Sequence, residues 1–257
     1  MATRIESAPN LSGRIPAADN NNSGFMLSPG APALSLVRTE PFVVAQPPVQ
    51  YTRDAATLML YRAMDLALAS LCLMLLWPLM LIAAILVVTG SRGPIFYSQV
   101  RFGRDGAIFG CLKFRTMQPD AERLLAQLLE TSPAIREIWQ RDRKLVDDPR
   151  ITACGRFLRR YSIDELPQLF NVLRGEMSIV GPRPLATDEA ELYGDAFAAY
   201  CSLKPGITGP WQVSGRNQVS FAGRAKLDCD YARTKSITQD FQIILRTVPV
   251  VLGGSGY

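Results

Sequence analysis

Residues 66–88 read Leu66-Ala-Leu-Ala-Ser70-Leu-Cys-Leu-Met-Leu75-Leu-Trp-Pro78-Leu-Met80-Leu-Ile-Ala-Ala-Ile85-Leu-Val-Val88, 23 positions without a charge. A straight helix of this length, rising ~1.5 Å per residue, is long enough to cross a bilayer. Two features complicate a simple span. Pro78 falls near the middle, where it removes a backbone donor and kinks or breaks a helix. Both flanks are basic, with Arg53 and Arg62 before the run and Arg92, Arg101 and Arg104 after it, so the positive-inside rule does not put the two ends on opposite sides. A kinked span and a helix-break-helix that enters one leaflet and returns both satisfy the pattern, and both stay open on residues alone.

Before this stretch, residues 1–52 mix Pro, Ser, Asn and Gly with no apolar period (Asn20-Asn21-Asn22-Ser23-Gly24, Gln46-Pro47-Pro48). Such a segment buries too little to offset its ordering entropy and is expected to be a disordered tail. After it, the pattern changes to period two. Ile95–Arg101 and Ile108–Arg115 flank Arg104-Asp105-Gly106, a hairpin signal. Lys113 and Arg115 are two residues apart, hence on one face of a strand. They are either solvated edge charges or phosphate ligands.

Helical patterns follow from Pro119, over Pro133 to Lys144, from Pro167 to Leu173 with Gly175 as stop, over Asp188 to Ala199, and over Phe221 to Thr234. Lys204 to Trp211 reads as a rigid turn. Asp240 to Val248 reads as an amphipathic helix stopped by Pro249, suited to lie on a membrane or to pack on the apolar helix. The expected architecture is α/β, mostly helical. Residues 53–90 hold the membrane helix, as a hairpin or a kinked span, and 91–257 a small domain with a short β-hairpin and surface amphipathic helices.

The chemistry available is narrow. The chain has no histidine, which excludes Ser-His-Asp or Cys-His catalysis and His-ligated zinc. Its five cysteines are scattered and lack a C-x-x-C pair, as expected of reduced thiols facing the cytosol. A net charge of +5 suits anionic lipid or a phosphorylated small molecule. Nucleic acid is a poor fit, because the charges are dispersed and the apolar run has no use there.

Attention then falls on Arg159-Arg160-Tyr161-Ser162-Ile163-Asp164-Glu165-Leu166-Pro167-Gln168. Ser162-x-x-Glu165 matches a capping box, and Pro167 suits the first position of a helix beginning after Leu166. In either register, the carboxylates of Asp164 and Glu165 lie near a helix start. A carboxylate can also attack phosphorus to give an acyl phosphate. An adjacent carboxylate can hold Mg²⁺ together with substrate phosphate. Adjacent side chains point about 100° apart on a helix, so the two would have different tasks.

The motifs in their order resemble the bacterial sugar transferases, or monotopic phosphoglycosyl transferases, nearest to the short exopolysaccharide-initiating members of the succinoglycan type. The resemblance covers roughly residues 60–257. It is carried by the apolar run with Pro78, Leu112-Lys113-Phe114-Arg115-Thr116-Met117, Asp148-Pro149-Arg150-Ile151-Thr152 and Asp164-Glu165-Leu166-Pro167-Gln168. It continues through Gly175-Glu176-Met177-Ser178-Ile179-Val180-Gly181-Pro182-Arg183-Pro184 and Lys204-Pro205-Gly206-Ile207-Thr208-Gly209.

The resemblance implies a re-entrant helical hairpin over residues 53–90 and a catalytic domain over 91–257, resting on the cytoplasmic face of the bacterial inner membrane in contact with membrane lipid. The implied reaction moves a hexose-1-phosphate, galactose or glucose, from a UDP-sugar to undecaprenyl phosphate and releases UMP. Asp164 would be the nucleophile, Glu165 a Mg²⁺ ligand and Arg183 a diphosphate contact, with Lys113, Arg115, Arg150 and Asp228 lining the site. A homodimer is compatible with it. Trp77-Pro78 stands where the family often has Ser-Pro, and Tyr61-Arg62 where Lys-Arg is usual. A non-catalytic scaffold of glycan assembly is the competing class, against which the intact Asp164-Glu165 and Arg183 argue.

Overall fold

The computed structural model describes residues 54–142, 145, 147–215 and 219–254. The expected tail of residues 1–52 lies outside the described residues.

The apolar stretch is part of one helix, α1 (Ala55–Gly90). Asp54 caps its start, accepting from Thr57 N at 3.2 Å and Thr57 Oγ1 at 2.6 Å. The expected helix-break-helix is therefore a single helix that carries Pro78 inside it. Proline deletes one hydrogen bond, and the turns on both sides are held by packing. Asp65, Ala69, Ala83 and Val87 are buried, with Cys72, Leu73, Leu76, Met80 and Ala84 half-buried between them. This is one stripe at helical spacing. Alanines within it let neighbouring chain come close. The other faces carry Met74, Leu75, Trp77 and Ile82, from 55% to 65% exposed. Exposed apolar surface on this scale is costly in water and natural in lipid, and α1 is long and apolar enough to cross a membrane.

Hairpin strands β1 (Phe96–Phe102) and β2 (Ile108–Phe114) pair antiparallel from Phe96↔Phe114 to Phe102↔Ile108. The expected turn joins them, with Asp105 and Gly106 at φ 59° and 74°. The other edge of β1 takes the two-residue β4 (Leu185–Ala186), giving the order β2-β1-β4. Helices α2 (Ala121–Thr131) and α3 (Pro133–Asp142) follow the hairpin. Then come α4 (Ala153–Arg160) and α5 (Gln168–Arg174), which ends at Gly175 with φ 85°.

Three expectations are corrected. The helix expected over Asp188 to Ala199 is divided by Gly194, at φ 48°, into α6 (Ala190–Tyr193) and α7 (Ala196–Cys201). The rigid turn at Lys204 to Trp211 contains β5 (Gly206–Thr208), parallel to β3 (Ser178–Val180). The two run so close that a Cβ on Gly206 would collide with the Gly181 nitrogen. After α8 (Phe221–Thr234), Pro249 does not end α9 (Ile237–Leu252), which continues one turn beyond it.

Helix α1 meets this domain through two apolar clusters. Ala69 packs with Phe109, Cys111, Leu169, Val172 and Met177. Ala83 and Val87 pack with Phe114, Leu158 and Ile163. Burying each large apolar side chain contributes roughly 1.5–3 kcal/mol. Polar contacts fix the register. Arg62 donates to the carbonyls of Val172 (2.6 Å) and Leu173 (2.8 Å), capping the C-terminus of α5. Asp65 accepts from Ser178 Oγ (2.9 Å) and Ile179 N (2.8 Å) at β3. Arg62 is thus a helix cap in this protein, with its guanidinium turned to the domain.

Candidate active site

Helix α4 is capped by Thr152, whose hydroxyl accepts from Gly155 N at 3.0 Å. It stops at Tyr161, and Ser162 adopts a left-handed conformation (φ 56°) that redirects the chain into a short 3₁₀ turn, Ile163–Glu165. Pro167 holds helical angles and occupies the cap of α5. The capping-box reading is overturned. The Ser162 side chain does not cap the turn, and the Glu165 carboxylate reaches across to Lys113 Nζ at 2.8 Å and Arg183 Nη1 at 3.4 Å. A pair of cations outcompetes a backbone N–H for a carboxylate.

Asp164 is buried, 7% exposed, and no described residue donates a hydrogen bond to its carboxylate. Burial raises its pKa above the usual carboxylate range. Lys113 opposes that rise, Glu165 adds to it, and Arg159 and Arg183 again oppose it. A carboxyl whose pKa is raised by burial beside specific charges is a candidate functional group.

The cleft beside this turn is lined by Arg101, Cys111, Lys113, Glu165, Gln168, Arg183 and Pro184, with Gly206 and Ile207. Several elements contribute to it. Lys113 is on β2, and Arg183 follows β3 in a loop pinned by Gly181 N to Thr208 O (2.9 Å) and Gly206 N to Pro182 O (2.8 Å). Trp211 backs this loop, with the Arg183 guanidinium 5.5 Å and the Arg224 guanidinium 4.4 Å from its ring.

Asp164, Glu165, Lys113 and Arg183 are thus brought together as expected, but three other candidates are placed elsewhere. Strand β2 ends at Phe114, so the alternation that would have aligned Arg115 with Lys113 stops. Arg115 is buried against the end of α1, donating to Ser91 O (2.7 Å) and Ser91 Oγ (2.8 Å). Arg150 is held by Asp148 through a two-pronged pair, Nε to Oδ1 at 2.8 Å and Nη2 to Oδ2 at 2.6 Å, and lies over Trp139. Asp228 is buried on α8, accepting from Tyr193 OH at 3.0 Å. Burial pushes its pKa up to about 7, against the hydrogen bond from Tyr193 and the charge of Arg224. It supports Arg224 behind Trp211 and does not line the cleft.

Two cations were missed. Arg159 sits five residues before Asp164, its Nε donating to Thr116 Oγ1 at 2.9 Å, and the charge of Asp164 acts on it. Its position in the motif was the available signal. Arg101 reached the cleft by strand pairing, which no local pattern reveals.

Among the described residues, no three or more His, Cys, Asp or Glu side chains gather as a metal cage. A single carboxylate beside a cation-lined cleft can still serve Mg²⁺, which commonly takes one or two carboxylates and fills its remaining positions with substrate phosphate and water. The residues therefore fit that ion at Glu165 through a single protein ligand.

A membrane-associated α/β protein with a cation-lined cleft beside a carboxylate pair is the class that fold and site define. The chain belongs to the bacterial sugar transferase family, whose profile matches residues 56–254. It is 48% identical over 190 residues to the exopolysaccharide production protein ExoY of Sinorhizobium fredii, covering 74% of this chain and 84% of that one. It is 46% identical over 197 residues to the undecaprenyl-phosphate galactose phosphotransferase of Salmonella typhimurium, covering 77% and 41%. With the UDP-glucose:undecaprenyl-phosphate glucose-1-phosphate transferase of Caulobacter vibrioides it shares 41% over 199 residues, covering 74% and 69%.

Proposed function

We propose that this protein transfers a hexose-1-phosphate from a UDP-sugar to undecaprenyl phosphate, initiating exopolysaccharide synthesis at the cytoplasmic face of the bacterial inner membrane. The observation that carries the reading is Asp164: a buried carboxylate without a hydrogen bond from any described residue, surrounded by the charges of Lys113, Arg159 and Arg183. A carboxylate so placed is not neutralised by a partner, and an anionic substrate can approach through the cations.

An Asp164 oxygen attacks the phosphorus that bears the sugar, and the bond from that phosphorus to the bridging oxygen breaks. UMP leaves with the bridging oxygen, and the sugar phosphate stays on Asp164 as an acyl phosphate. The phosphate oxygen of the lipid carrier then attacks the same phosphorus, restoring the carboxylate and forming the lipid diphosphate sugar. Arg183 and Lys113 hold the diphosphate oxygens, and fixed charges of this kind need little reorganisation as charge develops. Mg²⁺ at Glu165 would add neutralisation of the diphosphate.

The relatives named for galactose and for glucose transfer support a hexose without separating the two. The test is to incubate the full chain in nanodiscs with UDP-galactose or UDP-glucose and follow UMP, with undecaprenyl phosphate present or withheld. Without the carrier, one UMP per protein and a protein-bound hexose phosphate are expected. UMP formation that strictly needs the carrier, with no covalent adduct, rejects the two-step scheme. In the same assay Glu165→Gln should lose on the order of 10²-fold in rate and flatten the Mg²⁺ response; an unchanged response removes the metal role.

For α1 the proposal is re-entry. The packed stripe touches the domain on both sides of Pro78, from Ala69 to Val87, which supports a course with both helix ends on the domain's side of the membrane. Cysteines introduced at Asp54 and Glu137 should be modified by an impermeant maleimide from the same face, above the background of native thiols. Modification from opposite faces rejects it.

A further inference from the structure

One wall of the cleft carries an arginine that no step above uses. Arg101 lies on β1 opposite Ala186 of β4, at a junction pinned by Tyr200, whose hydroxyl donates to Phe102 O (2.7 Å) and accepts from Leu185 N (3.0 Å). Its side chain is 12% exposed. The Nη2 group donates to the neutral Gln99 Oε1 at 2.5 Å, while Nη1 meets Glu189 Oε2 at 3.5 Å. That same oxygen accepts from Ala186 N at 3.0 Å, so the carboxylate paired with Arg101 among the described residues is shared and distant.

Arg183 lines the same cleft. Burial first, and then the charge of Arg183, lower the pKa of Arg101. Two guanidinium groups are therefore held within electrostatic reach, one with a loose counter-ion and the other sharing Glu165 with Lys113. Like charges so placed repel, and an anion between them relieves the repulsion while filling two planar donor forks.

We propose that Arg101 and Arg183 form a two-guanidinium clamp for a phosphate group, and that Glu189 is the counter-ion Arg101 gives up when phosphate enters. The inference rests on the transferase reading, which supplies two phosphates of suitable chemistry: the diphosphate of the nucleotide and the phosphate of the lipid carrier. A purely structural Arg101–Glu189 pair would behave differently, because loss of either partner would then act in the same direction.

The experiment uses the full chain in nanodiscs with two probes, UDP in solution and undecaprenyl phosphate in the bilayer. UDP binding is read by calorimetry and carrier binding by the shift in unfolding temperature. Arg101→Gln should weaken the clamped probe by about tenfold or more, the scale of one charge-assisted hydrogen bond. Glu189→Gln should tighten the same probe severalfold, since its amide can still accept from Ala186 N. An effect confined to UDP assigns the clamp to the nucleotide, and one confined to undecaprenyl phosphate assigns it to the carrier.

Binding of both probes within twofold of wild type in both variants, or weakening in both variants, overturns the clamp. If Arg101→Gln does not fold, Glu189→Gln decides alone: tighter binding supports the clamp, and unchanged or weaker binding overturns it. Wild-type protein that binds neither probe overturns the transferase reading and the clamp together.

Discussion

Asp164→Asn is expected to abolish both UMP release and covalent capture of the sugar phosphate, with a loss on the order of 10⁴-fold or more, the scale seen when a covalent nucleophile is removed. Asparagine keeps the shape of the side chain but cannot form the acyl phosphate. The variant should nonetheless fold into membranes with an unfolding temperature no lower than that of wild type. Asp164 is buried, burial is the largest influence on it, and its pKa is raised. The sign follows from linkage. A carboxyl whose folded pKa exceeds its unfolded one favours the fold most when protonated, below about pH 4, and that contribution is lost as pH rises through the folded pKa. At neutral pH the charge therefore costs stability, and a neutral amide removes the cost. Unfolding temperature and UMP release measured side by side check both halves. Near-normal UMP release would sink the nucleophile assignment, and a steep loss of thermal stability would show instead that the carboxylate is structural.

The same residues show what local sequence can and cannot reveal. The hairpin was legible because Asp105-Gly106 must adopt positive φ between two period-two runs, and the end of α5 because Gly175 must do the same. Helix α8 was legible from end to end. What failed were places where tertiary contacts override local signals. Pro78 and Pro249 read as interruptions, yet both stay inside helices whose other turns are packed. The Lys113–Glu165 pair joins positions 52 residues apart, and only the motif resemblance put both residues in one site. Arg115, Arg150 and Asp228 carry the right charges for a phosphate site but have partners nearer to hand in Ser91, Asp148 and Tyr193. Arg101 entered the cleft through β1–β4 pairing of two residues, a contact too short for any periodicity to announce.

Asn171→Ala should produce the largest stability loss of any single truncation near the site, about 3–5 kcal/mol. Asn171 is fully buried on α5, six residues after Glu165. Its Oδ1 accepts from Leu112 N at 3.0 Å, and its Nδ2 donates to Gly110 O at 2.8 Å and Glu176 Oε2 at 2.6 Å. Leu112 and Gly110 belong to β2, whose one strand neighbour is β1, so these backbone groups on its open edge are satisfied by a single side-chain amide. Alanine would leave a buried donor and a buried acceptor unmatched, each costing about 1–3 kcal/mol. Water that enters the space would recover part of that. With about 2–4 °C of unfolding temperature per kcal/mol for a chain of this size, the drop should be roughly 10 °C. Asn171→Asp should be nearly as damaging, since it keeps the acceptor for Leu112 but loses the donors and sets an anion beside Glu176. Thermal unfolding in nanodiscs is the measurement, and a drop under about 3 °C would reject this role for the Asn171 amide. Because α5 continues from the turn that carries Asp164, and Lys113 stands next to Leu112 on β2, this amide also sets the distance between Asp164 and Lys113, the proposed nucleophile and its cation. Any Asn171 variant that folds should therefore lose rate more than substrate affinity.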